Sequence, residues 1–354
     1  MPVHLKPSQR KAIAAVRAQA VVARPGSAQT LSHILQMSNI SLSVLEELRG
    51  VIRQHAHIAI HFHPDRPVGD RLVAGALLED GVYKNQFETG ISNGLVSVVA
   101  GGPRDTWERN LFDDAFHDPS VSAAERPKYG ALDITRNPDG PAPRFGSCFF
   151  VLKPEVSTRS TFTFGGSQSD PQYRGTIDEF DAILAAIFEE SFTHDSMLGV
   201  HDLRPPQAVD LLSALATPRQ WRTLRLSHNL DQMIEAQVHG EISLQRDVEA
   251  LVIDPSFEKS PVGPALRAIS KRFGIPLEMH GGLSINVDAV PADFRGPRMP
   301  SLAARISDTC LDAAAIGIAA QDLARHRQAW RDRGTYEEVL QELKLIWHVL
   351  VKYG

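Results

Sequence analysis

The sequence predicts an α+β protein in which a mixed β core carries N-terminal and C-terminal helical additions. The first 55 residues have helical patterns, short β-like runs alternate with turns and helices from His57 to Phe257, and residues 301–354 return to helix. Strict alternation of strand and helix is missing, which argues against a doubly wound sheet. The domain prediction is a helical region at 1–55, an α+β core at 56–290 and a helical region at 291–354.

The N-terminal region is expected to form helices separated by a break. Residues 8–23 are rich in alanine and contain neither glycine nor proline, which favours a helix. The stretch ARPGSA at 23–28 is expected to end that helix, because proline removes a helical hydrogen bond and glycine weakens helices. Apolar residues recur at helical spacing over 29–54, where Ser41 is the expected N-cap of the second of two helices.

Short apolar runs bounded by turn residues predict the strands of the core, and helical spacing predicts the helices between and after them. The strand predictions cover residues 57–63, 94–100, 147–152, 160–164, 234–244 and 248–253. The helix predictions cover residues 69–79, 177–190, 206–216, 262–273, 302–325 and 336–351.

Composition excludes several classes of protein. Of 354 residues, 43% are hydrophobic and 22% are charged, as in ordinary globular chains, and the net charge of -5 argues against a nucleic-acid partner. No apolar run approaches the ~18 residues that a membrane span requires. The start, MPVHLKPSQRK, lacks the apolar segment of a Sec signal peptide. Two cysteines cannot build a disulfide framework, which indicates a reducing compartment.

The motif HFHPDR at 61–66 closes the first predicted strand. His61 and His63 fall on one face of a strand, and such a pair is one way to present two imidazoles to a divalent metal. Alternatively, His63 or Arg66 holds an anionic or ribose-bearing ligand. A third interpretation is a set of surface residues on an edge strand.

A polar loop follows at 83–94, with the sequence YKNQFETGISNG. Glycines there permit close backbone approach, so its backbone N–H groups are candidates for binding phosphate or ribose. The spacing of a Walker A loop is absent, and a plain polar turn is the alternative.

Hydroxyl groups and phenylalanines alternate in two further segments, 144–152 and 159–167. Such residues suit the packing of half-buried strands, and their functional alternative is to orient a ligand. Cys148 lies in an apolar run and is expected to be a buried, unreactive thiol.

The segment 234–241, IEAQVHGE, holds the densest polar pattern on a predicted strand. Glu235, Gln237 and His239 alternate with Ile234, Ala236 and Val238, so a strand places the three polar groups on one face. A carboxylate next to an amide can hold a ribose hydroxyl. A helix would scatter the three groups, and a solvated strand face is a further alternative.

Eight blocks, spread in order over roughly residues 56–320, resemble a bacterial family long catalogued only as a domain of unknown function. They are HFHPDR, YKNQFETGISNG, GGPRDTWE, ERPKYGAL, RFGSCFFVL, RSTFTFGGS, EAQVHG and DVEALVIDPSF. That family in turn resembles bacterial effectors that ADP-ribosylate threonine on ubiquitin. The resemblance implies an ADP-ribosyltransferase-like fold, NAD⁺ as co-substrate, and mono-ADP-ribosylation of a protein hydroxyl with release of nicotinamide.

The resemblance also implies roles for individual residues. Arg66 or His63, after the first strand, would hold NAD⁺, and Glu235 would stabilise the oxocarbenium-like centre, with Glu241 in reserve. The family's acidic or amide residue two positions before the glutamate is replaced by Met233. The catalytic prediction is Glu235, Arg66 and Ser147. The predicted NAD⁺-binding residues are His63, Arg66, Asn85, Gln86, Thr89, Ser92, Tyr129, Phe145, Ser160, Thr161, Phe162, Gln237 and His239.

Two other functions stay open: a metal-dependent hydrolase built on His61 and His63, and a binding module without enzymatic activity. The lead interpretation needs no metal and has NAD⁺ and a protein acceptor, such as ubiquitin, as partners. It places the protein in the bacterial cytoplasm, or in a host cell reached without a Sec signal peptide.

Overall fold

A computed structural model describes residues 3–91, 98–218 and 226–354. Its α-helices are α1 (Pro7–Met37), α2 (Val44–His55), α3 (Val73–Asp80), α4 (Gln86–Thr89), α5 (Pro103–Phe112), α6 (Asp181–His194), α7 (Pro205–Ser213), α8 (Leu244–Asp247), α9 (Gly263–Phe273), α10 (Met299–Ile306), α11 (Ala313–Arg325) and α12 (Tyr336–Tyr353).

The strands are β1 (His57–Phe62), β2 (Pro67–Val68), β3 (Arg71–Leu72), β4 (Val82–Tyr83), β5 (Lys128–Asp133), β6 (Cys148–Leu152), β7 (Ser160–Phe164), β8 (Arg174–Thr176), β9 (Ser196–Met197), β10 (Val200–His201), β11 (Ile234–Val238), β12 (Ile242–Ser243), β13 (Val248–Ile253), β14 (Leu277–Met279), β15 (Ser284–Asn286) and β16 (Cys310–Asp312). Eight of them form one sheet in the order β14-β13-β6-β1-β5-β11-β7-β8. All neighbours in this sheet are antiparallel except β13 and β14, which run parallel. The coarse α+β prediction, a large mixed sheet with helices at both ends of the chain, is confirmed.

The two faces of the sheet differ in chemistry because side chains alternate along each strand. One face is apolar and joins the main hydrophobic core, where Ile58, Phe150 and Ile234 pack with helical residues such as Ile183 and Ile346. The opposite face carries a small apolar cluster over β6 and β13 and polar side chains over β11 and β7. This second face is the floor on which the candidate site is built.

The predicted break at 23–28 is wrong, because α1 continues through Pro25. Ala20 and Leu31 are buried on either side of the proline, and α1 packs against α6 and β8. Burial of this face outweighs the cost of one lost hydrogen bond. Pro25 itself is exposed.

Three further element predictions need correction. The strand expected at 234–244 ends at Val238, since Gly240 adopts a φ of +81° and turns the chain into β12. The helix expected at 302–325 is two helices around β16, the second capped by Asp312, whose side chain accepts the N–H of Ala315. The helix expected at 69–79 starts only at Val73, after a two-stranded ribbon. The strand predicted at 94–100 lies mostly outside the described residues.

Helices from both ends of the chain share the main core with the sheet. Its buried members run from Leu31 in α1 to Val351 in α12. The domain boundaries drawn from the sequence stay a prediction. Within the described ranges, no helix is both long enough and apolar enough to cross a bilayer.

Gly26→Ala is expected to stabilise the protein slightly. Gly26 lies inside α1, and a Cβ there would meet nothing within 4 Å. Alanine restricts the unfolded chain more than glycine does, so we expect the free energy of unfolding to rise by about 0.5–1 kcal/mol. Urea denaturation checks this, and a lower midpoint for the variant would contradict the described course of α1.

Candidate active site

A cleft opens over the polar face of the sheet, with about 1250 Å³ of space between protein atoms, part of it open to solvent. The sheet supplies its floor, and α3, α5 and the turns after β1 and β7 supply walls. Its polar and aromatic lining includes His63, Arg66, Tyr83, Lys84, Gln86, Thr89, Arg104, Trp107, Tyr129, Phe145, Ser167, Gln168 and Glu235.

Small side chains in neighbouring strands leave room for this cleft. Glu235 of β11 lies opposite Ala131 of β5, which in turn lies opposite Ala59 of β1. Residues directly opposite in antiparallel strands point to the same side of the sheet. The carboxylate of Glu235 therefore stands beside two methyl groups, and the space above them is available to a ligand.

Glu235 is 7% exposed and is held by two donors. Its Oε1 accepts a hydrogen bond of 3.2 Å from the backbone N–H of Ser167 and one of 3.0 Å from Nε2 of Gln237. Burial raises the pKa of Glu235, while both donors and the positive charge of Arg104 lower it. A carboxylate in this setting is oriented and is easier to protonate than one in water.

A ladder of buried side chains supports the amide that holds Glu235. Thr161 Oγ1 donates its single proton to Gln237 Oε1 at 2.8 Å. The same hydroxyl must therefore accept the 3.2 Å hydrogen bond that it shares with His239, and Nε2 of His239 is the donor. His239 packs against Phe112 and Phe116, and burial lowers its pKa to about 3. The imidazole is therefore neutral, with its proton on Nε2. Thr161, Gln237 and His239 lie behind Glu235 and do not line the cleft.

Arginine side chains reach the cleft from two directions. Arg66 lies in the turn after β1, and this turn is held by the N–H groups of Val73 and Ala74, which donate to the carbonyls of Arg66 at 2.9 Å and Pro64 at 2.8 Å. Arg104 lies in the first turn of α5. Both line the cleft, so positive charge and the Glu235 carboxylate border one space.

Aromatic rings form much of the wall beside Arg104. Its guanidinium carbon is 5.3 Å from the ring centroid of Tyr129 and 5.7 Å from that of Trp107. The Tyr129 hydroxyl donates to Glu108 at 2.9 Å, and burial raises the pKa of Glu108 to about 7. The Tyr129 hydroxyl thus already has an acceptor, while the faces of these rings are suited to stack on a planar ligand.

Several predicted site residues meet in this cleft, and others do not. The predicted residues that line it are His63, Arg66, Gln86, Thr89, Tyr129, Phe145 and Glu235. Arg104, Trp107, Ser167 and Gln168 also line it, although no role was assigned to them from the sequence. Arg104 and Trp107 belong to the block GGPRDTWE, where an arginine and a tryptophan three positions apart at a helix start are a signal for a shared face.

Besides Thr161, Gln237 and His239, four predicted residues do not line the cleft. Asn85 caps α4 and donates to the carbonyls of Ala123 and Arg126. Ser147 is 3% exposed and does not line the cleft, and the Ser160 hydroxyl donates to the Val156 carbonyl. Phe162 lies on the opposite, apolar face of the sheet, in the main core, so it cannot stack on a ligand over the polar face. Ser92 lies outside the described residues.

The pair His61 and His63 is not arranged as a metal site. His61 Nδ1 contacts the Gly146 carbonyl at 3.0 Å and Nε2 accepts from the Ala142 N–H at 3.3 Å, so both nitrogens are engaged. Burial lowers the pKa of His61 to about 3. His63 lies beyond the end of β1, edge-on to the Trp347 ring. Over the described ranges, no group of three or more His, Cys, Asp or Glu side chains is placed to hold a metal ion.

Residues 57–353 match a family model described as "Protein of unknown function (DUF3626)". The match covers the whole sheet and the helices that follow it. No curated protein matches the chain.

Proposed function

The chain belongs to the DUF3626 family of proteins of unknown function, and we propose that it is a mono-ADP-ribosyltransferase that uses NAD⁺ to modify a side-chain hydroxyl of a protein. One observation carries the proposal: the cleft combines the buried carboxylate of Glu235 with the cations Arg66 and Arg104 and with aromatic rings. These are the groups needed to hold a dinucleotide and to stabilise positive charge at its ribose.

Glu235 is assigned the central role. Cleavage of the bond between ribose and nicotinamide builds positive charge on the anomeric carbon, and an oriented carboxylate lowers the energy of that state. The acceptor oxygen bonds to this carbon, nicotinamide leaves with the electron pair of the broken bond, and Glu235 takes the hydroxyl proton. A carboxylate whose pKa is raised by burial accepts that proton more readily.

The remaining lining residues are assigned to binding. Arg66 provides a forked set of donors for phosphate oxygens. Trp107 and Phe145 provide faces for a planar ring. Gln86, whose Oε1 is buried without a hydrogen-bond partner among the described residues, has an acceptor available for a ligand N–H or O–H group.

The proposal includes the fold and the acceptor. We take the sheet to be an ADP-ribosyltransferase-like core in which the turn after β1 supplies Arg66 and β11 supplies Glu235. A threonine of ubiquitin is the acceptor that the family resemblance suggests.

A direct assay tests the proposal. The purified protein is incubated with NAD⁺ labelled in the adenylate part, with ubiquitin and separately with a cell lysate, and both nicotinamide release and labelled protein are measured. Label on a protein with stoichiometric nicotinamide supports the transferase. Nicotinamide release without labelled protein would indicate an NAD⁺ glycohydrolase. If neither nicotinamide nor labelled protein formed, the proposal would be rejected in favour of a binding module.

Gln237→Leu is expected to change the pH dependence of the reaction. The Gln237 amide stabilises the ionised form of Glu235, so its loss raises the pKa of Glu235 further. Since the ionised form is the active one, the acidic limb of the kcat/KM profile should move to higher pH. Gln232→Leu is the control, because Gln232 is exposed and does not line the cleft. An unmoved acidic limb would contradict the role of Gln237.

A further inference from the structure

Positive side chains collect at one edge of the cleft, next to Phe145. Arg144 precedes Phe145 in a short 3-10 turn, Pro143–Phe145, and Lys344 projects from α12. Arg295 joins them from the segment before α10. We call Arg144, Arg295 and Lys344 the cationic rim.

Trp347 attaches the rim to the cleft. Its Nε1 donates to the carbonyls of Pro143 at 3.0 Å and Arg144 at 3.1 Å, and its ring contacts His63 with centroids 4.9 Å apart. His63 and Phe145 both line the cleft. A buried tryptophan therefore holds the turn that carries Arg144 beside the cleft.

The rim is a concentration of like charge in a chain whose net charge is -5. Burial lowers the pKa of Lys344, and the charges of Arg144, Arg66, Arg295 and Arg104 lower it further. Arg66 and Arg104, which line the cleft, thus add their positive charges to the electrostatic field at the rim. A bound anion would relieve this repulsion.

A buried imidazole, that of His348, lies beneath the rim. His348 is 1% exposed, and neither of its ring nitrogens has a hydrogen-bond partner among the described residues. Burial, together with Arg144, Arg295 and Lys344, lowers its pKa to about 3. A buried polar group of this kind normally has a partner. Its position, one helical turn after Lys344, places an available donor next to the rim.

One carboxylate lies across the rim. Asp231 forms an ion pair with Arg144, and its Oδ2 is 4.0 Å from Nη2 of Arg295. The side chain of Asp231 is 61% exposed, whereas those of Arg144 and Arg295 are 29% and 27% exposed. An exposed carboxylate on recessed arginines occupies the position that a phosphate oxygen would take.

We propose that the cationic rim is a phosphate-binding subsite for the dinucleotide, and that Asp231 occupies part of it until the nucleotide binds. The inference rests on the proposed function, which requires a ligand with two phosphates in this cleft. Because the arginines are recessed, a small phosphate reaches them more easily than the acidic surface of a protein does. Arg144 and Arg295 supply forked donors, and Lys344 supplies a compact charge.

The test is the binding of ADP, measured by calorimetry on the full chain at two salt concentrations. We expect Arg144→Gln to weaken ADP binding by about tenfold or more and Asp231→Asn to tighten it, with both effects reduced by salt. Arg305→Gln and Asp332→Asn are matched controls, since this ion pair has side-chain exposures of 29% and 64% and includes none of the rim residues. Circular dichroism confirms that each variant is folded. Lys344→Gln is a second variant that removes a positive charge from the rim.

The outcomes separate this inference from the proposed function. Opposite effects of Arg144→Gln and Asp231→Asn on ADP support the subsite, even if the protein consumes no NAD⁺. ADP binding that neither variant changes would overturn the subsite while leaving the transferase intact. A changed KM for the acceptor protein with unchanged ADP binding would also overturn it, and would assign the rim to the acceptor instead.

Discussion

Glu235→Gln is expected to lower the rate of ADP-ribosyl transfer by about 100- to 1000-fold, the range seen when one group that stabilises transition-state charge is removed. The amide has nearly the same shape, and it can still contact the Ser167 N–H and the Gln237 side chain. It has no negative charge to stabilise the ribose and no lone pair basic enough to take the acceptor proton. The loss should appear in kcat, with NAD⁺ binding nearly unchanged.

Glu241→Gln is the control for this experiment. Glu241 is exposed, follows the same strand and pairs with Arg246 outside the cleft. Its variant should retain full activity. If both variants transferred ADP-ribose at the wild-type rate, Glu235 would have no catalytic role. If only Glu241→Gln were inactive, the acid would have to be reassigned to the segment after β11.

Gly146→Ala is expected to lower the free energy of unfolding by about 3 kcal/mol, at the upper end for overpacked core sites. A Cβ on Gly146 would lie 2.3 Å from the carbonyl carbon and 2.4 Å from the nitrogen of Phe62. These are backbone atoms of β1, so no side-chain rotation relieves the contact. The φ of 166° is ordinary extended backbone, and the expected loss therefore comes from contact alone.

Urea denaturation of the Gly146→Ala variant, compared with that of a Gly50→Ala control, tests this expected loss of stability. Gly50 lies in α2, and a Cβ there meets nothing within 4 Å. We expect Gly50→Ala to be neutral or slightly stabilising. Because Gly146 adjoins Phe145 and its carbonyl contacts His61 Nδ1, a variant that folds should also bind NAD⁺ less well. Equal midpoints for the two variants would mean that the turn before β6 packs less closely against the end of β1 than described.

Local pattern explains the elements that were predicted correctly. β1, β7 and β13 are short runs rich in apolar, aromatic or β-branched residues between turn signals, and such runs form strands in most contexts. The helix predictions at 262–273 and 336–351 are confirmed apart from their ends, since each has a strong amphipathic spacing.

β5 shows what local pattern does not reveal. Its residues, KYGALD, include a glycine and two charged residues and no β-branched side chain, so propensity argues against a strand. It nevertheless lies in the middle of the sheet, paired with β1 and β11. Two flanking strands supply its hydrogen bonds, and its small residues make room for the cleft.

By itself, the sequence determined the α+β class, the helical ends and the alternation that puts Glu235 and Gln237 on one side of a strand. The tertiary structure decided which hydroxyls, rings and cations meet that carboxylate. It placed Tyr129, Trp107 and Arg104 together in the cleft and put Phe162 on the far face of the sheet. The physical reason is that alternation depends on neighbouring residues in the chain. Strand order and register depend on burial summed over the whole core, which no short segment contains.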